Sequence, residues 1–175
     1  MTDVHVFMAI SLDGFIAGPN DELDWLEIDG IEDTYTPFFE RVGAMVMGRN
    51  TYDVIQGFDT WPYGDKPVLV ATSRPLEDPP PHVHPVSGTI EQIVRRAQEA
   101  AADKLVYIDG GSLVRTALGH GLIDELTLTV IPVLLGDGVP LLPGVPNRIP
   151  LELAGAREIG GGAVQLNYRL PNAHK

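Results

Sequence analysis

The sequence predicts an α/β domain with a mostly parallel central sheet, flanking helices and antiparallel C-terminal strands. Three features of the chain predict it. Short, mostly apolar runs recur at residues 4–10, 44–47, 68–71 and 105–108. Stretches with helical periodicity lie between them. The last third then alternates polar and apolar residues around a triple glycine. Apolar runs without alternation are what strands covered on both faces need, and strand–helix alternation sets such strands in parallel.

Each element has its own reason. Residues 35–42 form a short helix, with Pro37 tolerated in the first turn. Asn50 is placed to cap a helix running to about Gln56. Thr89-Ile90-Glu91-Gln92 fits a capping box, and Ile90, Ile93, Val94, Ala97 and Ala101 then recur on one helical face. Ser112 is placed to cap a helix that buries Leu113, Val114, Ala117 and Leu118 and stops at Gly119 or Gly121. Residues 125–130 alternate, with Leu126, Leu128 and Val130 on one face. Residues 151–159 and 163–170 flank Gly160-Gly161-Gly162 and read as a hairpin. Asp78-Pro79-Pro80-Pro81 reads as a stiff surface connection, too short to divide domains.

Composition narrows the function. A chain of 175 residues suits one domain, 1–175, able to bury about 70% of its unfolded surface without staples. It has no cysteine, which removes disulfides, thiolate nucleophiles and Cys-ligated zinc or Fe–S centres. The net charge of −12 speaks against nucleic-acid or anionic-membrane partners, which need clustered Lys and Arg. No apolar run approaches a membrane span, and Met1-Thr2-Asp3 lacks the basic start of a secretion signal, so the expected location is the cytoplasm.

The strongest chemical pattern is a buried strand, then Gly48-Arg49-Asn50-Thr51, then a helix. The same grammar returns at Asp109-Gly110-Gly111-Ser112. Small residues and free backbone N–H groups at a helix N-terminus make a seat for phosphate, and in an open α/β sheet both turns open where ligands bind. Gly110-Gly111 serves equally as a tight turn. Thr72-Ser73-Arg74-Pro75 follows another buried strand; hydroxyls beside a guanidinium suit a phosphate monoester, while the same residues also form an ST-turn closed by proline. His82-Val83-His84, flanked by prolines and lacking a third ligand, reads as loop or edge-strand surface rather than a metal site. Asp13-Gly14 reads as a turn.

With these residues in hand, the chain resembles the dihydrofolate reductase-like superfamily, and within it the RibD C-terminal (riboflavin-biosynthesis reductase) domain and its stand-alone relatives. The resemblance rests on five ordered blocks. These are Met8-Ala9-Ile10-Ser11-Leu12-Asp13-Gly14-Phe15-Ile16-Ala17, Val46-Met47-Gly48-Arg49-Asn50-Thr51-Tyr52, Ala71-Thr72-Ser73-Arg74-Pro75, Tyr107-Ile108-Asp109-Gly110-Gly111-Ser112-Leu113, and Gly121-Leu122-Ile123-Asp124-Glu125-Leu126 leading to Pro132-Val133-Leu134-Leu135-Gly136.

The resemblance implies an NADPH-dependent reductase that gives hydride to a C=N or C=O group of a pterin-, pyrimidine- or related heterocycle. It implies that Ala9 and Ile16 line the nicotinamide pocket, and that Gly48, Arg49, Asn50 and Thr51 hold the pyrophosphate and adenosine side. Thr72, Ser73 and Arg74 would bind the 2′-phosphate. Gly110 and Gly111 would let the backbone approach the diphosphate, with Ser112 and Leu113 opening the helix above it. Relatives place an acid at the start of the first long helix, which lands on Glu32 or Asp33; a carboxyl there assists protonation, though Asp33 also suits a helix cap. Trp25 and Thr129 are the candidate substrate contacts, Trp25 being equally a packing residue. Relatives pair through their C-terminal strands, so a homodimer is expected. The chain departs from the family at residues 53–62, where the Asp-x-Pro-x-Leu-Thr-x-Arg run of riboflavin-pathway reductases is missing, and at residues 20–33, which do not match the substrate loop of true dihydrofolate reductases. A rival reading is a non-catalytic module that holds a dinucleotide or pterin; a proton route beside the nicotinamide separates the two.

Overall fold

A computed structural model describes residues 1–171. Its large sheet contains β1 (Val4–Ser11), β3 (Val42–Gly48), β4 (Val68–Ala71), β5 (Val83–Val86), β6 (Leu105–Asp109), β7 (Glu125–Ile131), β9 (Glu152–Glu158) and β10 (Val164–Arg169). The strand order is β5-β4-β3-β6-β1-β7-β10-β9. The six strands from β5 to β7 run parallel; β10 pairs antiparallel with β7, and β9 antiparallel with β10. Two short strands, β2 (Phe15–Ala17) and β8 (Val139–Pro140), pair separately.

The apolar runs are explained by cover on both faces. Val4, Val6, Val46 and Ile108 pack with helices α3 (Ile90–Ala101) and α4 (Gly111–Gly119). Met45, Met47 and Tyr107 alternate to the other face and pack with Phe38 of α1 (Tyr35–Glu40) and Tyr52 and Ile55 of α2 (Arg49–Gln56). Each such fully buried aliphatic side chain contributes about 1.5–3 kcal/mol, an upper figure because the unfolded chain is not fully extended. A third cluster lies beyond β1, where Trp25, Leu26 and Ile28 of the loop after β2 cover Ile131, Ile159 and Ala163.

The capping box of α3 forms as its residues predict: Gln92 N–H donates to Thr89 Oγ1, and Thr89 N–H donates to Gln92 Oε1 at 3.0 Å. Two other caps differ from expectation. α2 starts at Arg49 with Gly48 as its N-cap, and α4 starts at Gly111 with Gly110 as its N-cap. The chain turns directly from strand into helix at both corners, so the glycine takes the cap position and Asn50 and Ser112 fall inside the first turn. α1 ends at Glu40 because Val42 already opens β3. The segment holding His84 is edge strand β5, where Pro85 lacks a donor without breaking a central ladder.

The glycine hairpin also positions a loop. Gly160 has φ +91°, and a Cβ there would collide with the Gly30 carbonyl oxygen. This close approach, with Glu32 N–H donating to Ile159 O at 2.6 Å, holds the segment before α1 against the last hairpin.

Candidate functional site

Strands β1, β3, β4 and β6 end along one edge of the sheet, where an open α/β sheet presents its ligand site. A cleft of about 690 Å³ opens there. The β3–α2 corner contributes Gly48, Arg49, Asn50 and Thr51 to its lining. At Gly48 a Cβ would meet nothing within 4 Å, so the missing side chain leaves open space beside the first-turn N–H groups of α2. Arg49 is fixed rather than free: its Nε donates to Asp53 Oδ1 at 2.7 Å, and its Nη1 donates to the Pro75 carbonyl at 3.1 Å.

The β6–α4 corner contributes Asp109, Gly110, Gly111, Ser112 and Leu113. Gly110 sits at φ +96°, ψ 129°, and a Cβ there would collide with Thr51 Oγ1. The two corners therefore meet, and only a residue without a side chain lets them. At Gly111 a Cβ would press on Ile16 Cδ1 at 3.0 Å and on Arg115 Nη1 at 3.1 Å. That guanidinium donates to the Pro140 and Leu141 carbonyls at 2.8 and 3.0 Å, tying β8 to α4. Ala9 and Ile16 line the same cleft. Two helix N-termini with small residues at their mouths thus line one cleft, where their first-turn N–H groups favour an anion.

The third predicted patch lies beside the cleft. Ala71 lines it, but Thr72, Ser73 and Arg74 do not. Thr72 Oγ1 accepts from Arg74 N–H at 3.1 Å, the ST-turn geometry. Ser73 and Arg74 are exposed, and Arg74 has no ion pair or hydrogen-bonded side chain among the described residues. The bond from Arg49 to Pro75 holds this turn against the start of α2.

Sequence reasoning missed the cleft's carboxyl. Asp109 ends β6 on the floor of the cleft, half-buried, beside Tyr63 and Tyr107. Its Oδ1 accepts from Gly110 N–H at 2.8 Å and its Oδ2 accepts from Tyr63 O–H at 3.3 Å. Burial pushes the carboxyl above its ordinary range, against the opposing pull of those two donors. Tyr63 is raised in turn, first by burial and then by the Asp109 charge, and so stays a hydrogen-bond donor. Tyr107 O–H donates to the Phe7 carbonyl at 2.9 Å, fixing the aromatic floor. A carboxyl that keeps its proton to higher pH, at a cleft floor, can deliver that proton to a ligand. The signal was present: an acid at the carboxyl end of a buried parallel strand, immediately before a Gly-Gly helix start.

The other expected contacts lie elsewhere. Glu32 is outside the cleft lining and forms a bidentate pair with Arg157 of β9, at 2.6 and 2.9 Å. The guanidinium lowers its carboxyl below the usual range. Asp33 accepts from Thr36 N–H at 2.9 Å and satisfies the first turn of α1, which likewise lowers its carboxyl. Trp25 packs with the third core cluster, its Nε1 donating to Glu22 O at 3.1 Å. Thr129 is buried beneath the loop; Gln165 Nε2 donates both to its Oγ1 at 3.2 Å and to Thr34 Oγ1 at 2.8 Å. These four residues hold the loop and helix that flank the cleft and are not among the residues lining it.

Comparison with known proteins follows the same geometry. The family model of the RibD C-terminal domain matches residues 2–165. The chain is 34% identical over 166 residues to the uncharacterized protein YwjB of Bacillus subtilis (strain 168), covering 93% of this chain and 95% of that one. A candidate riboflavin biosynthesis protein from Shewanella sp. PV-4 has a similar crystal structure, with TM-score 0.86 and 34% identity, covering 95% of this chain and 98% of that one. Two more distant structures share the fold. One is a diaminohydroxyphosphoribosylaminopyrimidine deaminase/5-amino-6-(5-phosphoribosylamino)uracil reductase of Thermotoga maritima, at TM-score 0.72 and 17% identity over 97% of this chain and 56% of that one. The other is dihydrofolate reductase from Enterococcus faecalis complexed with NADP(H), at TM-score 0.65 and 16% identity over 97% of both chains. Among the described residues no helix is long and apolar enough to cross a membrane.

Proposed function

The chain belongs to the RibD C-terminal domain family, and on that premise we propose that it is an NADPH-dependent reductase acting on a C=N or C=O group of a pterin-, pyrimidine- or related small heterocycle. The observation that carries the reading is the placement of Asp109 in one cleft with both strand-to-helix corners. The space at Gly48 and the contact between Gly110 and Thr51 fit a diphosphate lying across the corners. In this reading the first-turn N–H groups of α2 and α4 hold it, Ala9 and Ile16 line the nicotinamide side, and Arg74 reaches the 2′-phosphate from the adjoining turn.

A bound nicotinamide supplies the hydride. The chain supplies position and a proton. Asp109 gives its proton to the substrate nitrogen or oxygen as the neighbouring carbon is reduced, so that C=N becomes CH–NH or C=O becomes CH–OH, and it regains the proton from solvent. Tyr63 holds the carboxyl in place throughout. Asp109→Asn is therefore expected to leave NADPH affinity, read by nicotinamide fluorescence, within about threefold, and to lower turnover by about 10²–10⁴-fold. Activity of the native chain falls as pH rises through the raised Asp109 value; the Asn variant loses that limb. Undiminished turnover in Asp109→Asn, or no NADPH binding at millimolar concentration, overturns the reading.

We also propose that the chain forms a homodimer through its last hairpin. Among the described residues β9 is an edge strand with its outer side unpaired, and Leu151, Leu153 and Val164 of the last hairpin region are exposed. Antiparallel two-fold pairing centred between Ala154 and Gly155 sets Glu152 against Arg157 of the second copy. A monomeric mass by light scattering at micromolar concentration refutes it.

A further inference from the structure

The cleft lining combines residues of opposite chemistry. The two helix corners offer backbone N–H groups, and both lining arginines are committed to protein partners: Arg49 to Asp53 and the Pro75 carbonyl, and Arg115 to the Pro140 and Leu141 carbonyls. Away from the corner glycines the lining is apolar and aromatic, with Phe7, Leu26, Val54, Phe58 and Tyr63. Among the described residues lining the cleft, the remaining ionisable side chains besides tyrosine are both acids, Asp109 and Asp21. This aromatic side of the lining brings no Lys, Arg or His beyond the two committed arginines.

We infer that the substrate reduced here is an unphosphorylated planar nitrogen heterocycle with an N–H donor edge, and that the aromatic side of the cleft rejects its phosphate ester. The inference rests on the reductase reading and adds the substrate class. Flat apolar walls take the faces of a ring. Asp109 is placed to accept from, or protonate, a nitrogen on its edge. A phosphate monoester has the opposite needs. It is dianionic or nearly so, it is recognised by Arg or Lys in bidentate or point-charge contacts, and burying it without them forfeits its hydration. The acid at the rim, Asp21, adds repulsion. The chain thus departs from a reductase of a phosphoribosyl-bearing uracil at the place where the phosphate would need its cation, in keeping with the missing Asp-x-Pro-x-Leu-Thr-x-Arg run at residues 53–62.

The test compares matched pairs that differ only in a phosphate: 5-amino-6-ribitylaminouracil with its 5′-phosphate, and neopterin with its 3′-phosphate. Calorimetry first measures NADP+ binding alone, then each ligand with NADP+ saturating. In at least one pair the free compound is expected to bind at least tenfold more tightly than its ester. Phe58→Arg places a cation in the cleft lining, at a position 47% exposed and outside the buried core, and is expected to narrow that gap at least tenfold. Esters that bind as tightly as the free compounds in both pairs overturn the inference, and so does NADP+ binding with no binding of any of the four. A failure of NADP+ itself to bind strikes the reductase reading instead; the pairs, run on the free protein, then still decide the preference for an uncharged tail.

Discussion

Gly110→Ala puts the meeting of the two helix corners to a quantitative test. The residue sits at φ +96°, ψ 129°, a region that side-chain-bearing residues occupy at a cost of about 1–3 kcal/mol. The added methyl also runs into Thr51 Oγ1, and overpacking of this kind costs about 1–3 kcal/mol. The sum is roughly 2–6 kcal/mol, which for a chain of this length lowers the melting midpoint by roughly 4–24 °C. Urea unfolding followed by circular dichroism gives the value directly, as a lower midpoint at constant slope. The two causes separate in a second background. Thr51→Ala removes the hydroxyl, and the next contact, with Thr51 Cβ, is an ordinary 3.4 Å. The glycine substitution should therefore cost less, by about 1 kcal/mol or more, in the Thr51→Ala background. A single variant within about 0.5 kcal/mol of the parent, or two substitutions that simply add, would show that the corners do not abut as described.

Three further outcomes follow from individual contacts. Arg74→Ala is expected to weaken NADPH at least tenfold while leaving NADH nearly unchanged; equal losses for both cofactors would remove the 2′-phosphate role. Glu32→Gln breaks an exposed pair with Arg157 outside the cleft and is expected to leave kcat and its pH profile unchanged, so a collapse in turnover would return Glu32 to the chemistry. Asp13 accepts from Ser11 Oγ and from the Leu135 and Gly136 N–H groups, which hold its carboxyl at about 2 against an ordinary 3.8. A depressed carboxylate stabilises the fold above about pH 4 and loses that contribution as pH falls through 4 toward 2. Asp13→Asn should flatten that acid limb, and parallel stability curves for the two proteins would refute the assignment.

Much of the fold was legible because its signals are local or periodic. Residues 68–71 read as a strand and are β4. Thr89 through Gln92 carry a complete capping box within four residues, and both of its hydrogen bonds form. The strands that escaped are those whose partner is remote. β2 and β8 are three and two residues long and exist only because Phe15 and Ala17 meet Pro140 and Val139 across more than a hundred residues. The caps at Asn50 and Ser112 were each misplaced by two residues for a different reason. Side-chain preference favours Asn and Ser, but a strand that turns into a helix without a linker uses the glycine at the turn itself.

The candidate site divides along the same line. The two strand-to-helix corners were readable because strand, glycine and helix N-terminus are contiguous, so one short window contains every part. The carboxyl was harder to single out, because several acids stand near glycines or helix starts, Asp13, Glu32, Asp33 and Asp109 among them, and the strand-end position of Asp109 is only one local cue. Tertiary partners rank them. Asp13 meets the loop at 135–136, and Glu32 meets Arg157, 125 residues away. Asp33 is spent on the N–H of Thr36. Each of these three is held ionised by donors and so is poor at giving up a proton at neutral pH. Asp109 alone among them is pushed upward, by burial, while facing open space in the cleft. The ranking is thus set by what surrounds each carboxyl: donors that favour its charge for three of them, apolar walls that oppose it for the fourth.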